Sequence, residues 1–85
     1  MKRRSTLEII FRILDSISKE QLPLTQIMYK AGLNYYQVKR YLDHLLQREL
    51  VRKVEHQDAI KYSITQEGRE VLRNFRLIEE KLLSD

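Results

Sequence analysis

The segment 25–50, TQIMYKAGLNYYQVKRYLDHLLQREL, restricts the possible folds more than any other part of this chain. It contains Gly32, and glycine adopts the left-handed backbone that ends a helix at little steric cost. Asn34 is a strong N-cap, and Gln37 follows at the position of a capping-box partner. The pattern predicts a helix at Gln26–Ala31, a tight turn, and another helix that begins after Asn34 and ends near residue 49.

The longer of these helices has two different faces. Val38, Leu42 and Leu45 repeat at helical spacing, so we expect this face to pack inward. The opposite face carries polar, aromatic and charged side chains, namely Tyr35, Tyr36, Lys39, Arg40 and Asp43. A short helix, a glycine turn and an amphipathic helix with an aromatic and basic outer face are typical of a helix-turn-helix, whose second helix enters the DNA major groove.

Length and composition exclude several classes of protein. The 85 residues fit one small domain, and the absence of cysteine rules out disulfides and thiolate chemistry. No apolar run approaches the roughly 18 residues of a membrane span. The basic N-terminus runs into a helix interrupted by charges rather than into a cleavage site. We therefore expect a cytoplasmic protein, without membrane contact and associated with the nucleoid when bound to DNA.

Positive charge is unevenly distributed along the chain, whose net charge is +4. Residues 26–53 hold six Lys or Arg and two Asp or Glu, whereas residues 54–85 hold five and seven. A local basic surplus is typical of a protein that binds a polyanion. Charge alone fits a solvated helix face equally well, so the turn chemistry decides between the two interpretations.

The remaining segments predict three more elements and a hairpin loop. A capping box formed by Ser5 and Glu8 introduces a helix over 6–18, with the apolar face Leu7, Ile10, Leu14 and Ile17. Thr25 is the expected cap of the helix that follows. Alternating apolar and polar residues predict strands at 51–55 and 60–64, joined by the loop His56–Ala59.

A last helix is predicted at Gln66–Leu83, capped by Thr65 and about 27 Å long. Gly68 stands early in this helix, where its low helix propensity costs least. Four apolar residues spaced four, three and four form a heptad seam: Val71, Phe75, Ile78 and Leu82. We expect residues 1–65 to form the DNA-binding core with a basic arm and 66–85 to form a helix that pairs in a homodimer. The alternative is that the seam folds back on the first helix of the same chain.

Three segments also resemble a known family. AGLNYYQVKRYLDHLL at Ala31–Leu46 is similar to A-G-L-S-x-x-x-V-x-x-x-L-x-x-L, and KYSITQEGREVL at Lys61–Leu72 is similar to Y-x-(L or I)-T-x-x-G-x-x-x-L. ELVRKVE at Glu49–Glu55 matches the step from the third helix into the wing. In this order and spacing, the segments resemble the small archaeal and bacterial winged helix-turn-helix regulators over nearly the whole chain.

The resemblance implies a mainly α fold of order α-α-α-β-β-α with a small β-hairpin and an extended C-terminal helix. It implies a homodimeric transcriptional regulator that binds double-stranded DNA. Two features depart from the family. Glu49 stands where a glycine commonly ends the third helix, and the acidic hairpin tip 55–58 opposes phosphate contact.

In this interpretation the third helix lies in the major groove through its N-terminal half. Gln37 suits adenine, Arg40 suits guanine or a phosphate, and tyrosine hydroxyls suit phosphates. Tyr35 equally suits a position covering the turn. The predicted DNA-binding residues are Asn34, Tyr35, Tyr36, Gln37, Lys39, Arg40, Lys30, Arg52, Lys53, Lys61, Arg3 and Arg4.

Other functions fit the residues less well. The two histidines, His44 and His56, lack the spacing of a metal site, and no nucleophile elbow or glycine-rich phosphate loop occurs. We therefore expect no enzyme, no metal and no cofactor. Two alternatives stay open: a sequence-tolerant chromatin-type DNA-binding protein, and a winged helix that buries its third helix against a protein partner.

Overall fold

The computed structural model describes residues 6–83 and has the predicted element order. The helices are α1 (Thr6–Ser16), α2 (Leu24–Ala31), α3 (Tyr35–Gln47) and α4 (Gln66–Leu83), and the strands are β1 (Val51–His56) and β2 (Ala59–Ile64). The bounds predicted for α4 are confirmed.

The predicted end of α1 is two residues too late. Beyond Ser16 the backbone continues in tighter turns, in which Ile17 N donates to Leu14 O at 3.3 Å and Ser18 N to Asp15 O at 3.2 Å. The predicted capping residue Ser5 lies outside the described residues. Leu7, predicted on the inward face, is 62% exposed, because α1 turns Ile9, Ile13 and Leu14 toward the core instead.

The start predicted for α2 is also wrong. Pro23 rather than Thr25 occupies the N-cap position, and the helix begins at Leu24. The carbonyl of Pro23 accepts hydrogen bonds from Gln26 N and Ile27 N, both at 3.1 Å. Proline ends the preceding extended segment, and its fixed φ suits a helix start, so no side-chain cap is required here.

The hairpin has a shorter loop than predicted. β1 and β2 pair antiparallel from Val51 opposite Ile64 to His56 opposite Ala59, so the turn contains only Gln57 and Asp58. Gln57 adopts a φ of +57°, as a two-residue hairpin turn demands. On the other edge of β2, Leu22 N donates to Tyr62 O at 3.2 Å and accepts from Tyr62 N through its carbonyl at 2.8 Å, which ties the α1–α2 linker to the sheet.

The junction between the hairpin and α4 explains two residues that look unusual in the sequence. Glu49 adopts the left-handed φ of +62° in which glycine is more common, and Leu50 N donates to Leu45 O at 3.0 Å to close the end of α3. Thr65 caps α4, as predicted, since its hydroxyl oxygen accepts from Gly68 N at 3.0 Å. A side chain at Gly68 would overlap the carbonyl oxygen of Leu50, so glycine is required there for close approach rather than merely tolerated.

Apolar side chains from every element form one core. The most completely buried are Ile13, Leu14, Ile17, Ile27, Val38, Leu42 and Leu45, and within residues 6–83 the phenol of Tyr62 is the one polar group on a buried side chain. Helix α2 packs between α1 and α3, while α4 packs against α1 and β2. This arrangement leaves the outer face of α3 and the outer face of α4 on different parts of the molecule.

Candidate nucleic-acid interface

The outer face of α3 is open to solvent along its N-terminal half. The glycine turn positions this half, because Gly32 adopts a φ of +69° and Leu33, which is 8% exposed, inserts beneath the turn. Tyr36 is 81% exposed and Tyr35 is 50% exposed. Their rings meet edge to face at 5.5 Å, with an interplanar angle of 84°. Two adjacent phenols therefore project from the start of the helix.

Two cations follow the tyrosines, and only one of them is paired. Lys39 Nζ lies 3.2 Å from an Asp43 carboxylate oxygen, and the hydrogen bond and charge of Asp43 raise the pKa of Lys39 above its ordinary value. The Arg40 guanidinium carbon lies 5.9 Å from the centre of the Tyr41 ring, a cation–π contact. Within residues 6–83, Arg40 forms no ion pair. Its charge is the one on this face that α3 itself does not neutralise.

The predicted capping box of α3 is confirmed, and it restricts base reading. Gln37 N donates to Asn34 Oδ1 at 2.9 Å, and Asn34 N donates to Gln37 Oε1 at 3.1 Å. Both side-chain oxygens therefore hold the start of the helix. Bidentate recognition of adenine by Gln37 needs its amide oxygen and nitrogen together. In this arrangement the oxygen already accepts from Asn34 N, and only the nitrogen is without a partner among the described residues.

The cations of the hairpin do not share one face. Strand residues alternate between faces, and Lys53 pairs with Tyr62, on the side that holds the core residues Val51 and Ile64. Arg52 and Lys61 project from the opposite side. All three lysine and arginine side chains are exposed. Lys53 is thus the one hairpin cation predicted for DNA binding on the side that holds the core residues, and the other side presents Arg52 and Lys61.

The remaining predicted DNA-binding residues lie apart from α3. Lys30 Nζ lies 4.0 Å from Glu20, and both residues line a cleft between the end of α1 and α2. Arg3 and Arg4 fall outside the described residues.

The heptad seam of α4 divides between the core and solvent. Val71 and Phe75 are half-buried, and the ring centre of Phe75 lies 5.6 Å from that of Phe11 on α1. Ile78 and Leu82 are 57% and 76% exposed. Both line an apolar groove of about 280 Å³ between α1 and α4.

Two features of the structure were not predicted from the sequence. Tyr62 is only 8% exposed, and burial raises the pKa of its phenol, while the positive charge of Lys39 acts in the opposite direction. Arg69, Arg73 and Arg76 line one flank of α4 beside Lys19. The spacing of these arginines, four residues and then three, indicates a shared helix face. They lie, however, in the segment 54–85, whose net charge is negative.

Within residues 6–83, no three His, Asp or Glu side chains gather as metal ligands would. In the same part of the chain, none of the helices combines the length and apolar composition that crossing a bilayer requires.

Three packed helices, a two-stranded antiparallel hairpin and a fourth helix define a winged-helix protein. The winged helix-turn-helix family matches residues 3–83, and the chain belongs to that family. The expected fold class is thereby confirmed.

Solved structures show the same architecture. Sso10a-2, a DNA-binding protein from Sulfolobus solfataricus, is 32% identical with a TM-score of 0.79, and the match covers 95% of this chain and 87% of that one. The transcriptional regulator BldR from the same organism is 24% identical with a TM-score of 0.76, and the match covers 91% of this chain and 60% of that one. The second likeness shows the fold alone.

A curated relative extends beyond the matched region. The uncharacterized protein MJ0290 of Methanocaldococcus jannaschii is 35% identical over an alignment of 80 positions that covers 89% of this chain. The match covers 36% of that protein, so this chain spans about a third of its length.

Proposed function

We propose that this protein is a transcriptional regulator that binds specific double-stranded DNA sequences as a homodimer, with α3 in the major groove. One observation carries the proposal: Tyr36, Lys39 and Arg40 are exposed together on the N-terminal half of α3, and no other described element covers them. An α-helix fits the width of the major groove. The similarity to Sso10a-2, a DNA-binding protein, supports the same function.

Arg40 is the principal base-reading side chain in this proposal. Its guanidinium is free of ion pairs within residues 6–83, and two of its N–H groups match the acceptors of guanine. Tyr35 and Tyr36 donate hydroxyls to phosphates on the groove wall. Gln37 contributes its amide nitrogen while its oxygen holds the helix start.

Lys39 binds a phosphate by exchanging partners. In the free protein its ammonium group is paired with Asp43 at an exposed position, and such pairs contribute little to stability. A DNA phosphate approaching α3 competes for the same ammonium group. Asp43 therefore lowers affinity for any duplex and makes the chain more dependent on base contacts.

The C-terminal helix supplies the homodimer interface. The last buried residue of α4 is Leu72, so the following 73–83 extend about 16 Å past it. Along this extension Ile78, Leu82 and Leu83 remain exposed, next to Leu7 of α1. A second copy of the same helix presents the matching apolar seam. Such a dimer reads two half-sites about 34 Å apart.

Selection of duplexes from a random pool at two salt concentrations tests the proposal. Wild-type protein should enrich one sequence at both concentrations, and the variant carrying Lys39→Gln and Arg40→Gln should enrich none. A control variant, Lys19→Gln with Arg73→Gln, removes two positive charges from the α1–α2 linker and α4 and should enrich the same sequence as wild type. Binding by the α3 variant equal to that of wild type would exclude α3 as the reading element.

The capping box gives a specific reason to consider a second function. Because Asn34 and Gln37 commit their oxygens to the helix start, few groups remain on α3 to distinguish bases. A sequence-tolerant chromatin-type protein would use this surface mainly for phosphates. In the same selection it would retain duplex at low salt without an enriched sequence. A winged helix that binds a protein partner would retain no duplex at either salt concentration.

A further inference from the structure

The cleft between the end of α1 and the start of α4 concentrates positive charge. It measures about 290 Å³ and is lined by Ser18, Lys19, Arg69, Leu72, Arg73 and Arg76. Four of these six residues are cations and none is acidic. Like charges gathered in one concave site repel each other and raise the local concentration of anions.

Internal contacts use two of the four cations only in part. Arg69 Nη1 donates to the Ser18 carbonyl oxygen at 3.1 Å. Arg76 Nη2 forms a salt bridge with Asp15 Oδ1 at 2.6 Å, so Asp15 neutralises its charge and three of the four cations remain unneutralised. A guanidinium has five N–H donors, so both arginines are oriented by these contacts and keep further donors. Within residues 6–83, Lys19 and Arg73 form no hydrogen bond or ion pair through their side chains.

The three arginines form a continuous stripe. At 3.6 residues per turn, positions 69, 73 and 76 fall within about 60° of arc on α4, and the stripe is about 10 Å long. The apolar seam of α4 lies on the opposite flank of the helix by the same geometry. Pairing of two copies through the seam therefore leaves the stripe accessible.

We propose that this cleft binds the polyphosphate group of a small molecule such as a nucleoside di- or triphosphate. Arginine matches phosphate oxygens through paired N–H donors, and a stripe of about 10 Å suits several linked phosphates better than one. An adjoining cleft of about 480 Å³ shares Ser18, Lys19 and Arg76 and includes the side chain of Phe11. Its two carboxylates are paired, Asp15 with Arg76 and Glu20 with Lys30. It has room for the rest of such a ligand. Lys19, Arg69, Arg73 and Arg76 are exposed along the cleft, where a slender phosphate chain can contact several of them at once.

Calorimetric titration of the full chain with inorganic triphosphate, at about 0.1 M salt without DNA, tests the site. Wild type should bind, and Lys19→Gln with Arg73→Gln should weaken binding by about tenfold or more, since charge-assisted hydrogen bonds are among the strongest. Both residues are exposed, so the fold should be retained, and thermal unfolding without ligand checks this. The matched control, Lys39→Gln with Arg40→Gln, removes the same charge from α3 and should leave triphosphate binding intact.

Each outcome either supports or refutes a polyphosphate site in the cleft. No binding by wild type at millimolar triphosphate, or equal weakening in both double variants, would refute a specific site. If instead wild type binds two duplexes and the Lys19/Arg73 variant binds one, the cleft is a second nucleic-acid surface and the small-molecule proposal is wrong. Duplex binding by the α3 variant tests the proposed function, and triphosphate binding by the Lys19/Arg73 variant tests the cleft. Either proposal can therefore be refuted without the other.

Discussion

Lys39 Nζ and an Asp43 carboxylate oxygen lie 3.2 Å apart, one turn from each other on the exposed face of α3. The carboxylate neutralises one of the two positive charges, those of Lys39 and Arg40, on this face. The pair is exposed, so its removal should affect binding far more than folding.

Asp43→Asn should therefore tighten binding to unrelated duplexes and reduce discrimination between sequences. One additional neutralised phosphate steepens the dependence of log affinity on log salt by about 0.9. Fluorescence anisotropy across a salt series measures both effects. Glu70→Gln makes the same charge change on α4 and should leave the slope unchanged. An unchanged slope in Asp43→Asn would show that Lys39 does not reach a phosphate.

The reciprocal hydrogen bonds of Asn34 and Gln37 make the start of α3 a stability element. Asn34→Ala should lower the free energy of unfolding by about 1 kcal/mol, because the amide of Gln37 loses its acceptor. Asn34→Ser keeps an acceptor at the N-cap and should be close to wild type. Urea denaturation followed by circular dichroism compares the three proteins. Equal stability of the alanine and serine variants would contradict this role.

Gly68→Ala tests the close approach of α4 to the hairpin. Helix propensity alone predicts stabilisation by about 1 kcal/mol. Overlap of the new methyl group with the Leu50 carbonyl oxygen predicts the opposite sign, a loss of about 1–3 kcal/mol. Asn74→Ala, at an exposed position of the same helix, serves as the propensity control. A more stable Gly68→Ala variant in thermal denaturation would disprove the constraint.

The raised pKa values of Tyr62 and Lys39 predict that the folded protein loses stability at alkaline pH. Both pKa values are raised in the folded protein, Tyr62 above 10.0 mainly by burial and Lys39 above 10.5 mainly by Asp43. A group whose pKa is higher in the folded than in the unfolded protein stabilises the fold at pH values below its unfolded pKa. This stabilisation is lost as the pH rises through the folded pKa. The unfolding temperature should therefore fall above about pH 10.

Tyr62→Phe should flatten that alkaline decline, because the buried phenol is the group whose ionisation opposes folding. Tyr29→Phe is the matched control, since Tyr29 is 81% exposed. Thermal unfolding between pH 8 and 11.5 gives the comparison. Identical pH profiles for wild type and Tyr62→Phe would rule out Tyr62 as the source.

The proposed homodimer depends on the exposed part of the α4 seam. Ile78→Glu combined with Leu82→Glu should convert a dimer, of twice the 10.3 kDa chain mass, into a monomer in light scattering. These two residues are preferable to Phe75, which also packs on Phe11 within the chain. Leu77→Glu changes an apolar residue on another side of α4 and should leave the dimer intact. A wild-type protein that is already monomeric would refute the interface.

Much of the fold was predictable because its signals are local. The glycine turn at Gly32 and the capping box of Asn34 and Gln37 each act over a few residues, and both predictions are confirmed. Strand β1 also forms where it was predicted, although its residues do not alternate between buried and exposed. The errors arose where neighbouring signals competed. Pro23 displaced Thr25 as the start of α2, since the proline carbonyl already accepts the first amide bonds.

The candidate site was only partly predictable. The sequence placed the polar face of α3 outward, because the apolar positions of that helix repeat at a helical period. It did not show that Gln37 holds the helix with the same oxygen that adenine recognition requires, since that depends on the side-chain conformation.

By itself, then, the sequence determined the order of the elements, the inward face of α3 and the seam of α4, because periodicity and capping are properties of neighbouring residues. Only the tertiary structure explains why residue 68 is glycine, since it lies against the Leu50 carbonyl, and only the tertiary structure shows which cations share a surface. Lys19 and Arg73 are 54 positions apart in the chain, and the segment around Arg73 is acidic overall. Packing of α4 against α1 brings them to one cleft, and no local pattern encodes that contact.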